Sequence, residues 1–532
     1  MAGSLIPRAR PQFGSLGRGY AFRHSNEYDK RLMQTHWRLA KNAIANLTRG
    51  GAAGVAAVFL PAVLVKHMSQ IDYSVWVLVL QVAAYGSYFE FGLQTAVGRY
   101  IAIANEKHDA YQRDTVFSTA FAALSIAAII CIGLLIGVAC AAGWIFPSVP
   151  AALLSQMRWA LLIVGSSIAL GLPSAAWTGV FVGLQRNEFI AIVTGSSKLV
   201  SAIGLVIAAI HSSSLVLMAI VVATVNLASY LLLYILVRKF SHVEFHRHFV
   251  RQSTAKELFR YCFGLMIWSF STILVSGLDL ILVGRFELTA LAPYAIAATL
   301  VNFIAGIQNA VFSAAMPHAA VLHARNDSVA LGNMVISFTR LGVLLLILTG
   351  MPLLIYADPI LRIWVGQPYA VQGHLLLTIL LIANIVRLSG APYAIVLVAT
   401  GQQKLVTISP LMEGVTNLIA STLLGAKFGA PGVAAGTLVG AIVGIIGHVF
   451  YNMPRTRTEI LLHIRGFIFS AVGLPVLTAI PLIILAVHVW KGSPPSPLIF
   501  ASAFTVTILA STAIVLRTID AKNAARRLNA RN

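Results

Sequence analysis

Residues 115–146 read TVFSTAFAALSIAAIICIGLLIGVACAAGWIF, an apolar run without Asp, Glu, Lys or Arg. About twenty apolar residues in a helix cross the roughly 30 Å hydrocarbon core of a bilayer, and this run is longer. Its apolar residues are continuous and do not alternate with the period of two that barrel strands require. Because lipid leaves backbone groups unpaired, only helices and closed barrels span a membrane. The run therefore predicts a transmembrane helix that tilts or projects from the bilayer.

The rest of the chain repeats this pattern. Of its 532 residues, 58% are hydrophobic and only 10% are charged, with a mean hydropathy of +0.84. A soluble domain carries about 25% charged residues, so this chain lacks the polar surface to face water all round. We predict an all-α integral membrane protein with about 14 transmembrane helices. The predicted spans are 43–65, 73–104, 115–146, 157–182, 189–210, 214–237, 258–283, 291–319, 331–356, 374–399, 405–424, 431–451, 464–489 and 498–516.

The distribution of charge indicates how the helices are oriented. The chain has 38 Lys and Arg against 17 Asp and Glu, for a formal net charge of +21. The basic residues collect in both tails and in alternate loops, whereas the other loops carry only Lys66, Arg285, Arg362, Lys427 and Lys491. The positive-inside rule therefore predicts that both termini are cytoplasmic. No basic stripe with interleaved aromatic residues is present, so we expect no nucleic-acid partner.

The longest polar linker follows the sixth predicted span and separates two sets of six spans, after which two further spans complete the chain. Residues 180–186 (VFVGLQR) resemble residues 398–404 (VATGQQK), and each stretch follows the fourth span of its set. Transporters are commonly built from such repeats, with the substrate site between them. The predicted units are a cytoplasmic basic leader (1–42), an N-terminal six-helix lobe (43–238), a cytoplasmic linker (239–257), a C-terminal six-helix lobe (258–453), two extra transmembrane helices (454–516) and a basic cytoplasmic tail (517–532).

Several ionisable residues fall in or near the predicted spans: Arg49, Glu90, Lys198, Asp279, Arg340, Arg387 and Glu413. Each costs about 2.5–3.5 kcal/mol at the centre of a bilayer, so such residues usually face an internal cavity. Polar or small residues accompany some of them at steps of three and four, which places each set on one helix face. These sets include Asn302, Gly306 and Asn309 in one span, and Ser409, Glu413 and Asn417 in another.

Other interpretations of these residues remain open. Polar stripes also join helices through interhelical hydrogen bonds, and small residues permit close packing. Arg49, Arg340 and Arg387 can instead extend toward a membrane surface. We favour a hydrated cavity for the charged positions, because an unpaired charge facing lipid is so costly.

The chain carries no recognisable motif for covalent chemistry. It contains no GxxxxGK[ST], GxSxG or HExxH sequence. The group formed by His242, Glu244, His246 and His248 does not have the spacing of a standard metal-ligand set. We therefore expect no enzymatic activity, no cofactor and no bound metal.

Short motifs point to a known family. The stretches Leu60-Pro61, Asp72-Tyr73, Phe91-Gly92-Leu93 and Gly98-Arg99-Tyr100, and the later stretch 278–284 (LDLILVG) followed by Tyr294, carry the resemblance. They resemble bacterial polysaccharide flippases of the multidrug/oligosaccharidyl-lipid/polysaccharide (MOP) exporter superfamily. The resemblance covers most of the first twelve predicted spans, and some members of the family carry an extra pair of helices.

This resemblance implies a two-lobed transporter that alternates between inward-open and outward-open states. Its substrate would be undecaprenyl-pyrophosphate-linked oligosaccharide repeat units, moved across the bacterial inner membrane for polysaccharide biosynthesis, with an H⁺ or Na⁺ gradient as the driving force. Membrane lipids, a polysaccharide polymerase and other assembly proteins would be its partners. The expected substrate-binding residues are Arg49, Arg99, Lys198, Arg340, Arg387, Asn302 and Asn309. The expected ion-coupling residues are Glu90, Asp279 and Glu413.

Two alternatives have different consequences. A multidrug or metabolite cation antiporter of the same superfamily would share the fold, but it would favour an aromatic, acidic pocket over intramembrane basic residues. A membrane-embedded polysaccharide polymerase or ligase would need a sizeable outer loop for its catalytic groups, and the predicted outer loops are short.

Overall fold

The protein is described by a computed structural model covering residues 54, 56–212, 214–241, 243–313, 316–456, 467–489 and 495–529. Helices make up about 90% of this part of the chain, and it contains no strand. The predicted leader 1–42 and Arg49 lie outside it. The α-helices are α1 Ala56–His67, α2 Gln70–Ala84, α3 Leu93–Glu106, α4 Ala110–Ile145, α5 Ala151–Leu170, α6 Ser174–Gly183, α7 Asn187–His211, α8 Leu215–Ser241, α9 Gln252–Thr272, α10 Asp279–Phe286, α11 Leu288–Ser313, α12 Met316–Ala324, α13 Ser328–Ile355, α14 Ala357–Trp364, α15 Gln367–Ser389, α16 Ala391–Ala399, α17 Gln403–Ile446, α18 Met453–Arg455, α19 Leu474–Thr478, α20 Ile480–Val489 and α21 Pro497–Asn529.

Many of these helices can cross a bilayer, which confirms the prediction of an all-α membrane fold. Within the described ranges, eight helical stretches are long and apolar enough, and a ninth is added if the bent pair Phe467–Thr478 and Ile480–Val489 forms one span. The predicted count of fourteen is not confirmed. One reason is that the predicted spans 73–104 and 258–283 are interrupted, by the 3₁₀ turn Tyr85–Glu90 and the π-helical turn Ile273–Gly277.

Helix α17 consists of two antiparallel arms. A straight helix of its 44 residues would be about 66 Å long, far more than the bilayer core. Gly429 has non-helical angles (φ 65°, ψ −142°) and divides the helix there. In the second arm, Gly432, Gly436, Gly440 and Gly444 follow one another at every fourth position and lie against the first arm. Small residues at this spacing let two helix backbones approach closely. The arms correspond to the predicted spans 405–424 and 431–451.

Helices α4, α7 and α8 present large apolar side chains on the outer surface of the protein. Ile129, Trp144, Ile203 and Leu231 are among these exposed residues. In the apolar 18-residue segment of each of these three helices, fewer than a third of the residues are buried. A surface of this kind suits lipid as its solvent.

Hydrogen bonds join the helices before the linker to those after it at one end of the bundle. Gln70 donates to the Thr289 carbonyl at 2.7 Å and to the Gln372 side chain at 2.9 Å. Arg285 donates to the Ile145 carbonyl at 2.8 Å, and Trp364 donates to the Val58 carbonyl at 3.1 Å. We call this the far end; it is formed by the turns at 68–69, 146–150, 287 and 365–366.

The opposite end, formed by the loops 107–109, 184–186 and 243–251, is called the basic end. At this end, two hydrogen bonds join the linker to α4. The His246 backbone N–H donates to Ser118 Oγ at 3.2 Å, and the Arg251 backbone N–H donates to Thr119 Oγ1 at 3.1 Å. These buried hydroxyls therefore fix the path of the chain between the two sets of helices. The boundaries of the two predicted lobes stay a prediction.

Candidate functional site

Asp279 is the centre of a buried polar cluster among helices α10, α11 and α17. It is the first residue of α10, directly after the π-helical turn, and only 7% of its surface is exposed. Its carboxylate accepts hydrogen bonds from Thr437 Oγ1 at 2.9 Å, from the Tyr294 hydroxyl at 3.2 Å and from Asn417 Nδ2 at 3.3 Å. Three donors from different parts of the chain thus offset the cost of burying one charge.

The π-helical turn beside Asp279 is held by side chains from both sides. Asn417 Nδ2 donates to the carbonyl of Val275 at 2.8 Å, and Ser421 Oγ donates to Asn417 Oδ1 at 2.8 Å. Gln81 Nε2 of α2 donates to the Gly277 carbonyl at 2.9 Å, and the hydroxyl of Tyr85, the first residue of the 3₁₀ turn, donates to the same oxygen. A π turn interrupts the regular helical hydrogen bonds, so its carbonyls accept such partners. The turn thereby connects α2 with the surroundings of Asp279.

Arg387 and Glu413 form an ion pair next to this cluster. Arg387 Nε lies 2.5 Å from Glu413 Oε1, and 8% of the Glu413 side chain is exposed against 20% for Arg387. Glu413 lies one turn before Asn417 on α17, and Asn417 donates to Asp279, so the ion pair is adjacent to the Asp279 cluster. With both carboxyl groups ionised, the three residues leave one negative charge unbalanced. A proton or a single monovalent cation among these oxygen atoms would balance it.

Arg387 has donor capacity left over. Its Nη2 atom is buried and has no hydrogen-bond partner among the described residues. A buried, unpaired guanidinium N–H is costly, so a water molecule or a ligand atom at this position would stabilise the site.

The structure brings three of the predicted site residues together and separates the rest. Asp279, Arg387 and Glu413 belong to the cluster. Glu90 is half-buried at the end of the 3₁₀ turn, where its Oε1 accepts the Gln94 backbone N–H at 3.2 Å. Arg340 is buried and its Nε donates to the Ser470 carbonyl at 2.9 Å, which joins α13 to the helix at 467–473.

The remaining predicted binding residues have exposed side chains. Lys198 lies on α7, and Asn302 and Asn309 lie on α11. Arg99 lies over the Tyr261 ring, with its guanidinium carbon 4.9 Å from the ring centroid. The roles of all these residues stay predictions, as does that of Arg49 outside the described ranges.

Sequence reasoning did not assign a role to Tyr294, Asn417 or Thr437 at this site. Asn417 was part of a polar stripe and Tyr294 part of a family motif, but Thr437 carried no signal of its own. One signal was available, because Thr437 follows Gly436 in the second arm of α17. Glycines at every fourth position predict a close helix contact, and a polar residue beside them is then within reach of the opposite arm.

Several solved structures have a fold similar to that of this chain. The lipid II flippase MurJ in an inward closed conformation aligns with a TM-score of 0.66 at 14% identity, over 91% of this chain and 100% of that chain. An inward-facing multidrug resistance MATE family transporter of the MOP superfamily aligns with a TM-score of 0.63 at 11% identity, over 78% and 99%. A MOP superfamily transporter from Pyrococcus furiosus, described as having a binding pocket of reverse polarity, aligns with a TM-score of 0.57 at 11% identity, over 79% and 96%.

At these identities the likeness shows the fold alone, and a sequence search of curated proteins found no match. The family is shown by a sequence model described as "Polysaccharide biosynthesis protein", which matches residues 39–323, more than half of the chain. Together with the fold, this match establishes a multi-pass membrane protein. The chain belongs to the polysaccharide biosynthesis protein family and has the fold of the MOP superfamily transporters.

Proposed function

We propose that this protein is a flippase that translocates undecaprenyl-pyrophosphate-linked oligosaccharide repeat units across the bacterial inner membrane for polysaccharide biosynthesis. It works by alternating access and is driven by an H⁺ or Na⁺ gradient. Its family and its MOP fold support a transporter of this kind, and the charge distribution supports cytoplasmic termini. The protein carries out no covalent chemistry, and it acts before a polysaccharide polymerase and other assembly proteins.

The buried cluster at Asp279 is the observation that carries the ion-coupling part of the proposal. A transporter that couples to a cation needs a buried site whose charge is balanced only when the cation is bound. Asp279, Glu413 and Arg387 provide one unbalanced negative charge, and Asn417 and Thr437 contribute polar atoms around it. Occupation by H⁺ or Na⁺ would remove the charge and allow the helices to rearrange. Glu90 is a second acidic candidate in the other set of helices.

Basic residues support the substrate-binding part of the proposal. The pyrophosphate and any acidic sugars need cationic hydrogen-bond donors in a hydrated space. Arg387 has a buried donor without a partner in the described part of the chain, and Arg99 reaches the junction of α3 and α9. Arg49, Lys198 and Arg340 are further cationic candidates, and Asn302 and Asn309 would bind sugar hydroxyls.

A clean deletion of the gene tests the proposed function. We expect complete lipid-linked repeat units to accumulate inside the cell while surface polysaccharide is lost, because assembly continues and translocation stops. The wild-type gene should restore the polymer. Normal surface polysaccharide in the deletion strain would contradict the proposal.

A cation antiporter remains the second candidate, because the MATE transporter shares the fold at a TM-score of 0.63 and the Asp279 cluster favours positive charge. The same deletion strain separates the two functions. An antiporter predicts raised sensitivity to cationic drugs or metabolites with unchanged polysaccharide, whereas a flippase predicts the reverse.

A further inference from the structure

A large apolar groove lies where α9 meets α3 and α4. Its volume is about 970 Å³, within the range of about 300–1,000 Å³ that is usual for ligand sites. One wall comes from helices that precede the linker and the other from α9, which begins in the last part of the predicted linker 239–257. The groove thus lies at the junction that must change when the two sets of helices move relative to each other.

Local backbone geometry shapes the first wall. Phe91 and Gly92 both have left-handed angles, with φ of 51° and 76°, and this turn separates the 3₁₀ turn from α3. A bulky residue rarely adopts this conformation, and where one does, the site is often functional. The turn places the rings of Phe89 and Phe91 at the groove with their centroids 5.7 Å apart.

The second wall places polar and apolar residues at different depths. Gln252, Lys256 and Arg260 lie at steps of four along α9, and Phe259 and Phe263 are exposed beside them. At 1.5 Å per residue, Lys256 lies roughly 6 Å, Phe259 roughly 10 Å, Arg260 roughly 12 Å and Phe263 roughly 16 Å from the start of the helix at the basic end. Lys256 is therefore close to the depth of lipid head groups and Phe263 lies in the hydrocarbon region, while Arg260 lies between them and can extend its guanidinium toward the head groups.

The two cations of this wall are available to a ligand. Neither Lys256 nor Arg260 forms an ion pair within the described ranges. Glu257, the acidic residue between them in sequence, is not among the residues that line the groove. Two adjacent positive charges match a diphosphate better than the single negative charge of a phosphodiester.

We propose that this groove is the loading site for the lipid end of the substrate, in which Lys256 and Arg260 bind the diphosphate and the apolar walls hold the polyprenyl chain. This inference rests on the proposed function. The polyprenyl chain of the substrate would lie between α4 and α9, and the sugars would extend toward the interior of the protein.

Binding of undecaprenyl diphosphate to the full-length protein in phosphatidylcholine nanodiscs tests the proposal. The double variant Lys256→Gln, Arg260→Gln should bind the lipid at least about tenfold more weakly, because two charge-assisted contacts are lost. The charge-retaining double variant Lys256→Arg, Arg260→Lys should stay near wild type. A matched control, Lys239→Gln with Arg247→Gln, removes the same charge at the same end but outside the groove, and should bind as wild type does.

The outcomes distinguish this inference from the proposed function. If the wild-type protein restores surface polysaccharide and the Lys256→Gln, Arg260→Gln variant binds undecaprenyl diphosphate as tightly as wild type does, the loading site alone would be overturned. Displacement of undecaprenyl diphosphate by an equal concentration of phosphatidylglycerol would also overturn it, since the groove would then bind anionic lipids in general. A wild-type protein that neither binds undecaprenyl diphosphate nor restores surface polysaccharide would overturn both.

Discussion

Asp279 and the residues around it form a site in which each hydrogen bond has a separate origin. The carboxylate begins α10, Tyr294 comes from α11, and Asn417 and Thr437 come from the two arms of α17. A bound cation would compete with the hydroxyl and amide donors for the same carboxylate oxygens. Ion coupling should therefore depend on the side chains that orient Asp279.

Thr437 offers a conservative test of this dependence. Thr437→Val keeps the shape of the side chain but removes the hydroxyl that donates to Asp279 at 2.9 Å. We expect transport to fall about tenfold or more, on the scale of one hydrogen bond to a charged group. Thr437→Ser keeps the hydroxyl and should retain most activity. Equal transport by Thr437→Val and wild type, measured as restored surface polysaccharide at matched protein levels, would contradict this role.

The Arg387–Glu413 ion pair makes a prediction about stability. Arg387→Gln leaves the buried carboxylate of Glu413 without its partner, which typically costs about 3–5 kcal/mol. Adding Glu413→Gln removes the uncompensated charge and should recover much of that loss. Thermal unfolding of the two purified variants in detergent measures the effect. A double variant no more stable than Arg387→Gln would mean that the pair is not energetically coupled.

At the scale of helices, the close contact between the two arms of α17 brings the site together. The carboxylate of Glu413 lies where a side chain on Gly444 would be, and a side chain on Gly440 would meet Asn417. These glycines have no side chain, so Glu413, Asn417 and Thr437 can lie near α10. The site therefore depends on the glycine stripe as much as on its own polar residues.

Gly436 is the most direct test of this packing. A Cβ atom there would overlap the backbone nitrogen of Ser421, so Gly436→Ala should force the arms apart and lower both thermal stability and transport. Gly133→Ala on α4 is the matched control, because a Cβ atom there meets nothing within 4 Å. The control should be neutral or slightly stabilising, by up to about 1 kcal/mol. Similar behaviour of the two variants would show that the arms do not need close contact.

The sequence predicted these helices better than it predicted their contacts. Continuous apolar runs were sufficient for the all-α membrane fold, and the cost of burying charge singled out Asp279, Arg387 and Glu413. Thr437 was missed because its partner lies 158 residues away; the glycine stripe predicts a close helix contact beside Thr437 but does not identify Asp279 as its partner. Arg340 is a second example. Its position in a predicted span singled it out, but no local pattern in the sequence indicated that its Nε donates to the Ser470 carbonyl.

At the scale of the whole molecule, hydrogen bonds at the far end hold the two sets of helices together. Gln70 contacts Thr289 and Gln372, and Trp364 contacts the carbonyl of Val58. In an alternating-access cycle these contacts must break when the far end opens. The apolar groove at the basic end lies on the same junction between the two sets.

A cross-link across the far end tests this requirement. In a background with Cys131, Cys140 and Cys262 replaced by alanine, Gln70→Cys with Gln372→Cys, joined by a bifunctional methanethiosulfonate reagent that spans the two lost side chains, should abolish transport. Reduction should restore it, because only the covalent link prevents opening. Each single cysteine variant serves as a control and should transport under both conditions. Undiminished transport by the cross-linked protein would contradict opening at this end.

Translocation of a lipid-linked oligosaccharide can be measured on the purified protein in liposomes. A fluorescent undecaprenyl-pyrophosphate-linked oligosaccharide is incorporated, and its exposure on the opposite leaflet is followed with an impermeant glycosidase. We predict translocation that requires the protein, increases with an imposed H⁺ or Na⁺ gradient, and is lost with Asp279→Asn. If the wild-type protein leaves the substrate in its original leaflet under every gradient, while its folded state is verified by thermal unfolding, the protein is not a flippase for this substrate.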